Sequence, residues 1–179
     1  MKKLLLFLAL TSVLSCNFSV ETSKANFEEN KAPVNKEILK DSINTVLEEW
    51  HKAAAEARFE KYFDLMTQDG VFLGTDATEN WQNKDFRAYA KPHFDKGKAW
   101  SFSTLERNIY TGEEANIAWF DELLDTQMGI CRGSGVVVRT TEGWKIKHYV
   151  LSISIPNENV SEITELKKDF DEELTSRLK

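Results

Sequence analysis

The sequence lacks most of the patterns that identify a function directly. Its three histidines, His51, His93 and His148, are far apart and no cysteine cluster accompanies them, so no metal-binding spacing is present. We find no glycine-rich phosphate loop, no internal repeat and no low-complexity block. Basic residues number 23 against 29 acidic ones and form no stripe, which disfavours binding to nucleic acid. No cofactor is predicted.

Long hydrophobic runs are also missing. The longest extends from Leu4 to Leu14, about eleven residues, and a membrane-spanning helix needs roughly 20. A short positive region, Met1-Lys2-Lys3, precedes this run, and the two together have the layout of a signal peptide. The sequence therefore predicts export, with residues 1–15 as the signal peptide.

The signal-like segment ends in Val13-Leu14-Ser15-Cys16, which resembles the bacterial lipobox. The resemblance implies cleavage before Cys16 and acylation of its thiol, which would anchor the protein in a membrane of the cell envelope, facing the periplasm. Asn17 follows the cysteine, and by resemblance to sorting rules this favours the outer membrane. The alternative is an ordinary secretory signal in which Cys16 is incidental.

Cysteine is scarce in the rest of the chain. If Cys16 carries lipid, Cys131 has no partner for an intrachain disulfide. It lies in a strand-like segment without a matched histidine or asparagine, so we predict a small buried hydrophobic residue rather than a reactive thiol. Residues 16–34 are mostly polar and are predicted to form a flexible tether.

Hydrophobic periodicity predicts the elements of residues 35–155. Apolar residues at three- and four-residue steps indicate a helix over residues 38–57 and a second short helix up to Met66. A strand over residues 71–73 and a third helix, capped by Asn83 and ended by Pro92, should follow. Aromatic and β-branched residues then predict a meander of four strands over residues 100–110, 115–124, 131–140 and 144–155. The C-terminal segment, residues 156–179, is predicted to contain a last amphipathic helix from Val160 to Lys179, capped by Asn159.

Three groups of residues carry a resemblance to the SnoaL-like branch of the NTF2-like superfamily, which covers residues 38–152. They are Gly70-Val71-Phe72-Leu73-Gly74-Thr75-Asp76-Ala77-Thr78-Glu79-Asn80-Trp81, then Ala118-Trp119-Phe120-Asp121-Glu122 with Arg132-Gly133-Ser134-Gly135-Val136, and Gly143-Trp144-Lys145-Ile146. The resemblance implies an α+β cone over residues 35–155, with N-terminal helices packed on a strongly curved antiparallel sheet and a pocket at its wide mouth. The C-terminal helix is additional. Members include isomerases, cyclases, dehydratases, ligand-binding domains and association modules, so the fold alone selects no activity.

Several residues are candidates for catalysis in such a pocket. Asp76 and Glu79 lie in the loop where the cone would open, and either could act as a general base, with Tyr89 or Tyr149 donating to a developing oxyanion. The alternative is that residues 75–79 form only a turn and a cap. Asp121 is a further candidate base.

The last two strands supply candidates whose orientation depends on register. If the turn between the predicted strands 115–124 and 131–140 centres on Gln127, Arg132 lies opposite Glu122. A slip of one residue in the register would place Arg132 opposite Asp121 instead. Arg132 would orient an anionic group or form only a rim salt bridge. Simple alternation points His148 inward, either as a proton shuttle or as a hydrogen-bonded core residue.

Aromatic residues are the remaining signal. Trp81 and Trp119 would line a ligand pocket, fill the core or lie on a sheet face that pairs with a second copy. Gly133 and Gly135 would let rings such as Trp119 or Trp144 pack closely. The leading hypothesis is a lipid-anchored domain that binds a small, partly apolar molecule. The alternatives are an enzyme of the isomerase, cyclase or dehydratase kind and a dimerising module that binds a protein partner.

Overall fold

The computed structural model describes residues 35–179. The predicted signal peptide, Cys16 and the predicted tether lie outside the described residues. Among the helices of residues 35–179, none has the length and apolar character required to cross a membrane.

Two helices begin the described chain. Helix α1 spans Lys36–Ala55, and its N-terminus is capped by Asn35, whose side chain accepts hydrogen bonds from the backbone N–H groups of Glu37 and Ile38. Its buried stripe has the predicted spacing but also contains a histidine, His51. Helix α2, Phe59–Asp64, is shorter than predicted because Met66 already belongs to the first strand.

The third helix, α3, spans Asn83–Phe94 and differs from the prediction at both ends. Gln82 occupies the cap position, and the side chain of Asn83 donates instead to the carbonyl oxygen of Thr67 at 2.9 Å. The helix also continues past Pro92. Pro92 and Ala88, the residue whose helical hydrogen bond Pro92 removes, are both exposed, so the missing bond lies on the solvent side.

Six strands form one curved sheet: β1 Met66–Leu73, β2 Asn80–Gln82, β3 Phe102–Thr111, β4 Ile117–Thr126, β5 Gly129–Thr140 and β6 Gly143–Ile153. Their order is β2-β1-β6-β5-β4-β3. The predicted meander of four long strands is confirmed, but the sheet is mixed rather than antiparallel, because β1 pairs with β6 in parallel. The chain between them, which contains α3 and four further strands, is long enough for that connection.

The helices pack on one face of this sheet, and the core between the two layers is rich in aromatic rings. Trp50 of α1 stacks on Tyr62 of α2 at 4.9 Å between centroids and meets Tyr149 of β6 edge-on at 4.8 Å. Phe72 of β1 stacks on Phe86 of α3 at 4.2 Å. Cys131 is fully buried, as predicted.

The C-terminal segment forms two helices rather than the single helix predicted. After a 3-10 turn, Asn157–Asn159, helix α4 spans Val160–Leu166 and helix α5 spans Lys168–Leu178. Lys167 separates the two helices. Asn159 occupies the N-cap position of α4 as predicted, but its side chain makes no capping hydrogen bond. Neither helix contains a buried residue.

Candidate functional site

A cavity of about 230 Å³ opens at the mouth of the cone, between α3, the loop after β1, and the turn that joins β4 to β5. Six aromatic rings contribute to its wall, together with Leu151 and Met128. The rings are those of Phe72, Trp81, Phe86, Tyr89, Trp100 and Phe102. The polar side chains in the wall belong to Thr75, Glu79, His93 and Gln127, together with the hydroxyl group of Tyr89. The cavity thus combines an apolar wall with a few polar groups, which is the usual composition of a small-molecule site.

Glu79 is placed in this wall by the loop over residues 74–79. The backbone N–H of Gly74 donates to the carbonyl oxygen of Glu79 at 3.1 Å, which closes the loop. A Cβ atom at position 74 would overlap the Glu79 carboxylate, so glycine is needed for this close approach. Asp76 accepts hydrogen bonds from Thr78 within the loop and does not line the cavity.

Three further side chains stand beside Glu79. The rings of Trp81 and Tyr89 stack at 5.0 Å, and the His93 ring lies 5.3 Å from that of Tyr89, one turn along α3. Burial raises the pKa of the Tyr89 phenol, and the nearby Glu79 carboxylate raises it further. A carboxylate, a phenol and an imidazole therefore converge on one side of the cavity.

A second polar cluster lies inside the core, around the fully buried Glu122 of β4. Oε1 of Glu122 accepts hydrogen bonds from the Tyr149 hydroxyl at 2.7 Å and from His51 Nε2 at 2.8 Å. Oε2 accepts a hydrogen bond from Arg107 Nε at 2.8 Å, and Nη2 of the same guanidinium lies 2.8 Å from Oε2 in an ion pair. Since an ionised carboxylate can only accept, His51 carries its proton on Nε2.

This environment strongly favours the ionised form of Glu122. Burial alone would raise the pKa of the carboxyl group, but the hydrogen bond and positive charge of His51, the charge of Arg107 and the hydrogen bond from Tyr149 outweigh it and lower the pKa to about 2. Burial, and then the Glu122 charge, raise the pKa of the Tyr149 phenol well above its ordinary value. With both oxygens engaged and a low pKa, Glu122 is a weak base.

Two glycines of β5 provide the space for this cluster. A Cβ atom at position 133 would overlap the Tyr149 hydroxyl and lie 2.9 Å from Cγ of Glu122. At position 135 it would lie 2.4 Å from the backbone carbonyl oxygen of His148 and 2.9 Å from the Phe120 ring. The prediction that these glycines admit aromatic rings is confirmed, but the rings are those of Tyr149 and Phe120 rather than Trp119 or Trp144.

Comparison with known proteins agrees with this geometry. Residues 43–156 match the family model described as the SnoaL-like domain. The chain belongs to the SnoaL-like domain family. No functionally curated protein sequence is significantly similar to it.

Solved structures share the fold of this SnoaL-like domain. An NTF2-like protein of unknown function from Pseudomonas putida KT2440 is 13% identical, with a TM-score of 0.57 over 69% of this chain and 92% of its own. A proposed dehydratase of the NTF2-like family from Streptomyces avermitilis is 12% identical, with a TM-score of 0.57 over 68% and 99%. An NTF2-like protein from Cytophaga hutchinsonii is 14% identical, with a TM-score of 0.54 over 64% and 98%. At these identities the likeness concerns the fold.

In the structure of this SnoaL-like domain the candidate residues other than Asp76, which stays within its loop, fall into three groups. Glu79, Trp81 and Tyr89 meet at the mouth cavity. Glu122 and Tyr149 belong to the buried cluster. The third group lies on the face of the sheet opposite the helices, which we call the outer face. It consists of Trp119, Asp121, Arg132 and His148.

A β-bulge in β6 explains why His148 is on the outer face. Ile146 pairs with Val137 and His148 with Val136, so Lys147 is an extra residue in β6. The alternation of faces reverses there, which turns Tyr149 into the core and His148 out of it. The prediction that His148 points into the pocket is wrong.

The turn between β4 and β5 likewise changes the predicted pairing of Arg132. Thr126 pairs with Gly129, so Arg132 lies opposite Leu123 and not opposite Glu122 or Asp121. Its Nη1 atom still comes within 4.0 Å of Oδ1 of Asp121, diagonally across the strands, and the Arg132 side chain is 59% exposed. This contact is a surface ion pair.

Three participants were missed by reasoning from the sequence: His93, His51 and Arg107. A usable signal existed for His51, which follows Trp50 and lies four residues after Leu47, within the apolar stripe of α1. Arg107 and His93 carry no comparable signal, because their partners come from distant segments. Among residues 35–179 no three His, Cys, Asp or Glu side chains converge as metal ligands do.

Proposed function

We propose that this protein is an envelope lipoprotein whose SnoaL-like domain binds a small, partly apolar molecule in the mouth cavity. The observation that carries the proposal is the wall of six aromatic rings with Glu79, Tyr89 and His93 on one side. A volume of about 230 Å³ lies below the range of typical drug-sized pockets, which favours a small ligand. The lipid on Cys16 would keep the domain at the membrane.

The hydrogen bonding and low pKa of Glu122 disfavour a catalytic role for the buried cluster, which supports ligand binding as the function. The side chains of His51, Tyr149 and Arg107 each donate a hydrogen bond to its carboxylate, and its pKa of about 2 leaves it ionised at neutral pH, so it has little tendency to take up a proton. The cluster contributes no lining residue to the mouth cavity. In this proposal the buried cluster is structural and holds α1 against β3, β4 and β6.

The binding proposal is tested by identifying what the purified protein retains. Mass spectrometry of small molecules released on denaturation should detect a species that is absent from the Ala99→Phe variant, in which a phenyl group fills the cavity beside Trp100. Ala88→Phe, on the exposed side of α3, is the matched control and should retain the molecule. No retained molecule in any sample, with no thermal shift across a panel of small metabolites, would contradict the proposal.

Proton transfer in the same cavity is a second candidate function, favoured by the convergence of Glu79, Tyr89 and His93. Glu79 would abstract a proton next to a carbonyl group while Tyr89 donates to the developing oxyanion. The test is hydrogen–deuterium exchange at the α-carbon of small ketones in D₂O, followed by NMR. Catalysed exchange that is lost in Glu79→Gln supports an enzyme, and exchange at the uncatalysed rate excludes this reaction for the ketones used.

We also propose that the outer face pairs with a second copy of the chain. Trp119 is 49% exposed there and stacks on the exposed Tyr110 at 6.1 Å. The face carries both Asp121 and Arg132, so a two-fold partner could exchange this ion pair reciprocally. Sedimentation analysis should show a dimer that Trp119→Ser dissociates and that Ile38→Ser, an exposed position on α1, leaves intact. A monomeric wild-type protein at micromolar concentration would contradict the pairing.

A further inference from the structure

The wall of the mouth cavity has an unusual charge pattern for an aromatic site. Glu79 is its one carboxylate, and no lysine or arginine lines it. The loop closure at Gly74 and a 3.4 Å hydrogen bond from the backbone N–H of Asp76 position the Glu79 side chain. No ion pair of the described residues involves Glu79, so only neutral groups, the Asp76 N–H and the Tyr89 hydroxyl, interact with its carboxylate and no protein cation balances its charge.

The rings of the wall add to the same electrostatic preference. The faces of tryptophan, tyrosine and phenylalanine carry partial negative charge and attract cations, most strongly for tryptophan. Trp81 and Trp100 both contribute to the wall, and Trp81 stacks on Tyr89 beside the Glu79 carboxylate. An anion would meet this negative potential unfavourably, whereas a neutral apolar molecule would gain nothing from Glu79.

From these two features we infer that the molecule bound in the mouth cavity is a small alkylated ammonium ion. Its alkyl groups would contact the rings of Trp81, Trp100 and Tyr89, and its positive charge would be balanced by Glu79. This inference rests on the proposed binding function and specifies the chemical class of the ligand. The small volume suits a compact head group rather than an extended chain.

The test compares a cation with its uncharged isostere. The full-length protein in a non-ionic detergent is titrated with choline chloride and with 3,3-dimethylbutan-1-ol, in which carbon replaces the charged nitrogen, at constant ionic strength. Tryptophan fluorescence reports binding, because two of the five tryptophans, Trp81 and Trp100, line the cavity. We expect choline to bind at least tenfold more tightly than the alcohol, since a cation gains from both the rings and the carboxylate.

Variants separate the two contributions. Glu79→Gln should weaken choline binding about tenfold and leave the affinity for the alcohol unchanged, whereas Glu113→Gln, the same charge change at an exposed turn, should alter neither. Trp81→Leu should weaken choline binding by a similar factor.

The outcomes distinguish this inference from the proposed function. Equal affinity for choline and the alcohol, or a Glu79→Gln variant that binds choline normally, overturns the inference and leaves the binding function standing. Absence of binding by both probes also overturns the inference. The proposed function then fails only if the protein additionally retains no molecule that Ala99→Phe excludes.

Discussion

At the scale of single residues, the buried cluster depends on a position that has no side chain. Gly133 of β5 pairs with Glu122 of β4 on one side and with Leu151 of β6 on the other, and the Tyr149 hydroxyl occupies the space that a Cβ atom would need. The hydrogen bond between Tyr149 and Glu122 passes over this glycine. A larger residue and this hydrogen bond are therefore mutually exclusive in the present geometry.

We expect Gly133→Ala to lower the free energy of unfolding by about 3 kcal/mol, because overpacking is added to the loss of a hydrogen bond to a charged group. Urea denaturation monitored by tryptophan fluorescence measures the change. Ser134→Ala, the neighbouring exposed position, should change the stability by less than about 0.5 kcal/mol. Adding Tyr149→Phe to Gly133→Ala should recover part of the loss. Full stability of Gly133→Ala would show that the strands can shift without cost.

The low pKa of Glu122 predicts a pH dependence of stability. A folded-state pKa of about 2 against an ordinary value of 4.5 means that the ionised carboxylate stabilises the folded state by about 3 kcal/mol above pH 4.5. Because the folded pKa is the lower one, this contribution is lost as the pH falls from 4.5 towards 2.

Glu122→Gln should remove this dependence. The variant is expected to be less stable at pH 7, since Arg107, whose side chain is 4% exposed, loses its buried charged partner and keeps only the exposed Glu48, at 3.4 Å. Its free energy of unfolding should then fall less steeply than that of the wild type between pH 4.5 and 2. Other carboxylates with lowered pKa values, such as Asp69 and Asp76, are present in both proteins and cancel in the difference. If the free energies of unfolding of the two proteins changed in parallel between pH 4.5 and 2, the low pKa assigned to Glu122 would be contradicted.

At the scale of elements, sequence patterns predicted helices and strands well and side-chain directions poorly. The stripe of α1 and the four long strands were found because periodicity is a local property. The extra residue at Lys147 reversed the faces of His148 and Tyr149, and nothing in the local sequence marks it. A bulge is selected by the fit of distant strands, so a strand can be predicted while its faces are not.

In the candidate site, too, local features could be predicted from the sequence, whereas contacts between distant segments could not. Glu79 and Trp81 were expected at the cone's opening because they follow β1 within a short stretch of chain, and in the structure they line the mouth cavity together with Tyr89. His93 reaches the cavity only because α3 continues one turn past the point where Pro92 was expected to end it. Arg107 and His51 meet Glu122 from different layers, and such contacts between distant segments have no signature in one sequence.

The C-terminal helices provide a prediction at this scale. Because α4 and α5 contain no buried residue, deletion of residues 157–179 should change the free energy of unfolding by less than about 0.5 kcal/mol. A deletion that begins at Leu151, which is buried at the end of β6, should instead prevent stable folding. Thermal unfolding followed by circular dichroism distinguishes the two. A large loss of stability in the shorter deletion would show that α4 and α5 pack on the rest of the domain.

At the scale of the whole molecule, net charge and the predicted lipid anchor have opposite effects on association with a membrane. Removal of residues 1–15 takes away Lys2 and Lys3 and no acidic residue, which changes the net charge from −6 to −8. An acidic protein is repelled by anionic membrane surfaces, so electrostatic attraction would not keep it there. Any stable association would then depend on the hydrophobic contribution of acyl chains, about 0.8 kcal/mol for each buried CH₂ group.

The role of Cys16 is tested by changing the anchor without blocking export. Fusing residues 17–179 to a secretory signal with an Ala-x-Ala cleavage site should yield a soluble periplasmic protein, whereas the native chain should remain with the membranes after a high-salt wash. The native chain should also have a mass increased by acyl chains, and Cys16→Ala should lack this increase. A native chain that is processed but carries no added mass would show that Cys16 is incidental to an ordinary secretory signal. If the fusion of residues 17–179 stayed on the membrane instead, an anchoring surface would have to lie within those residues.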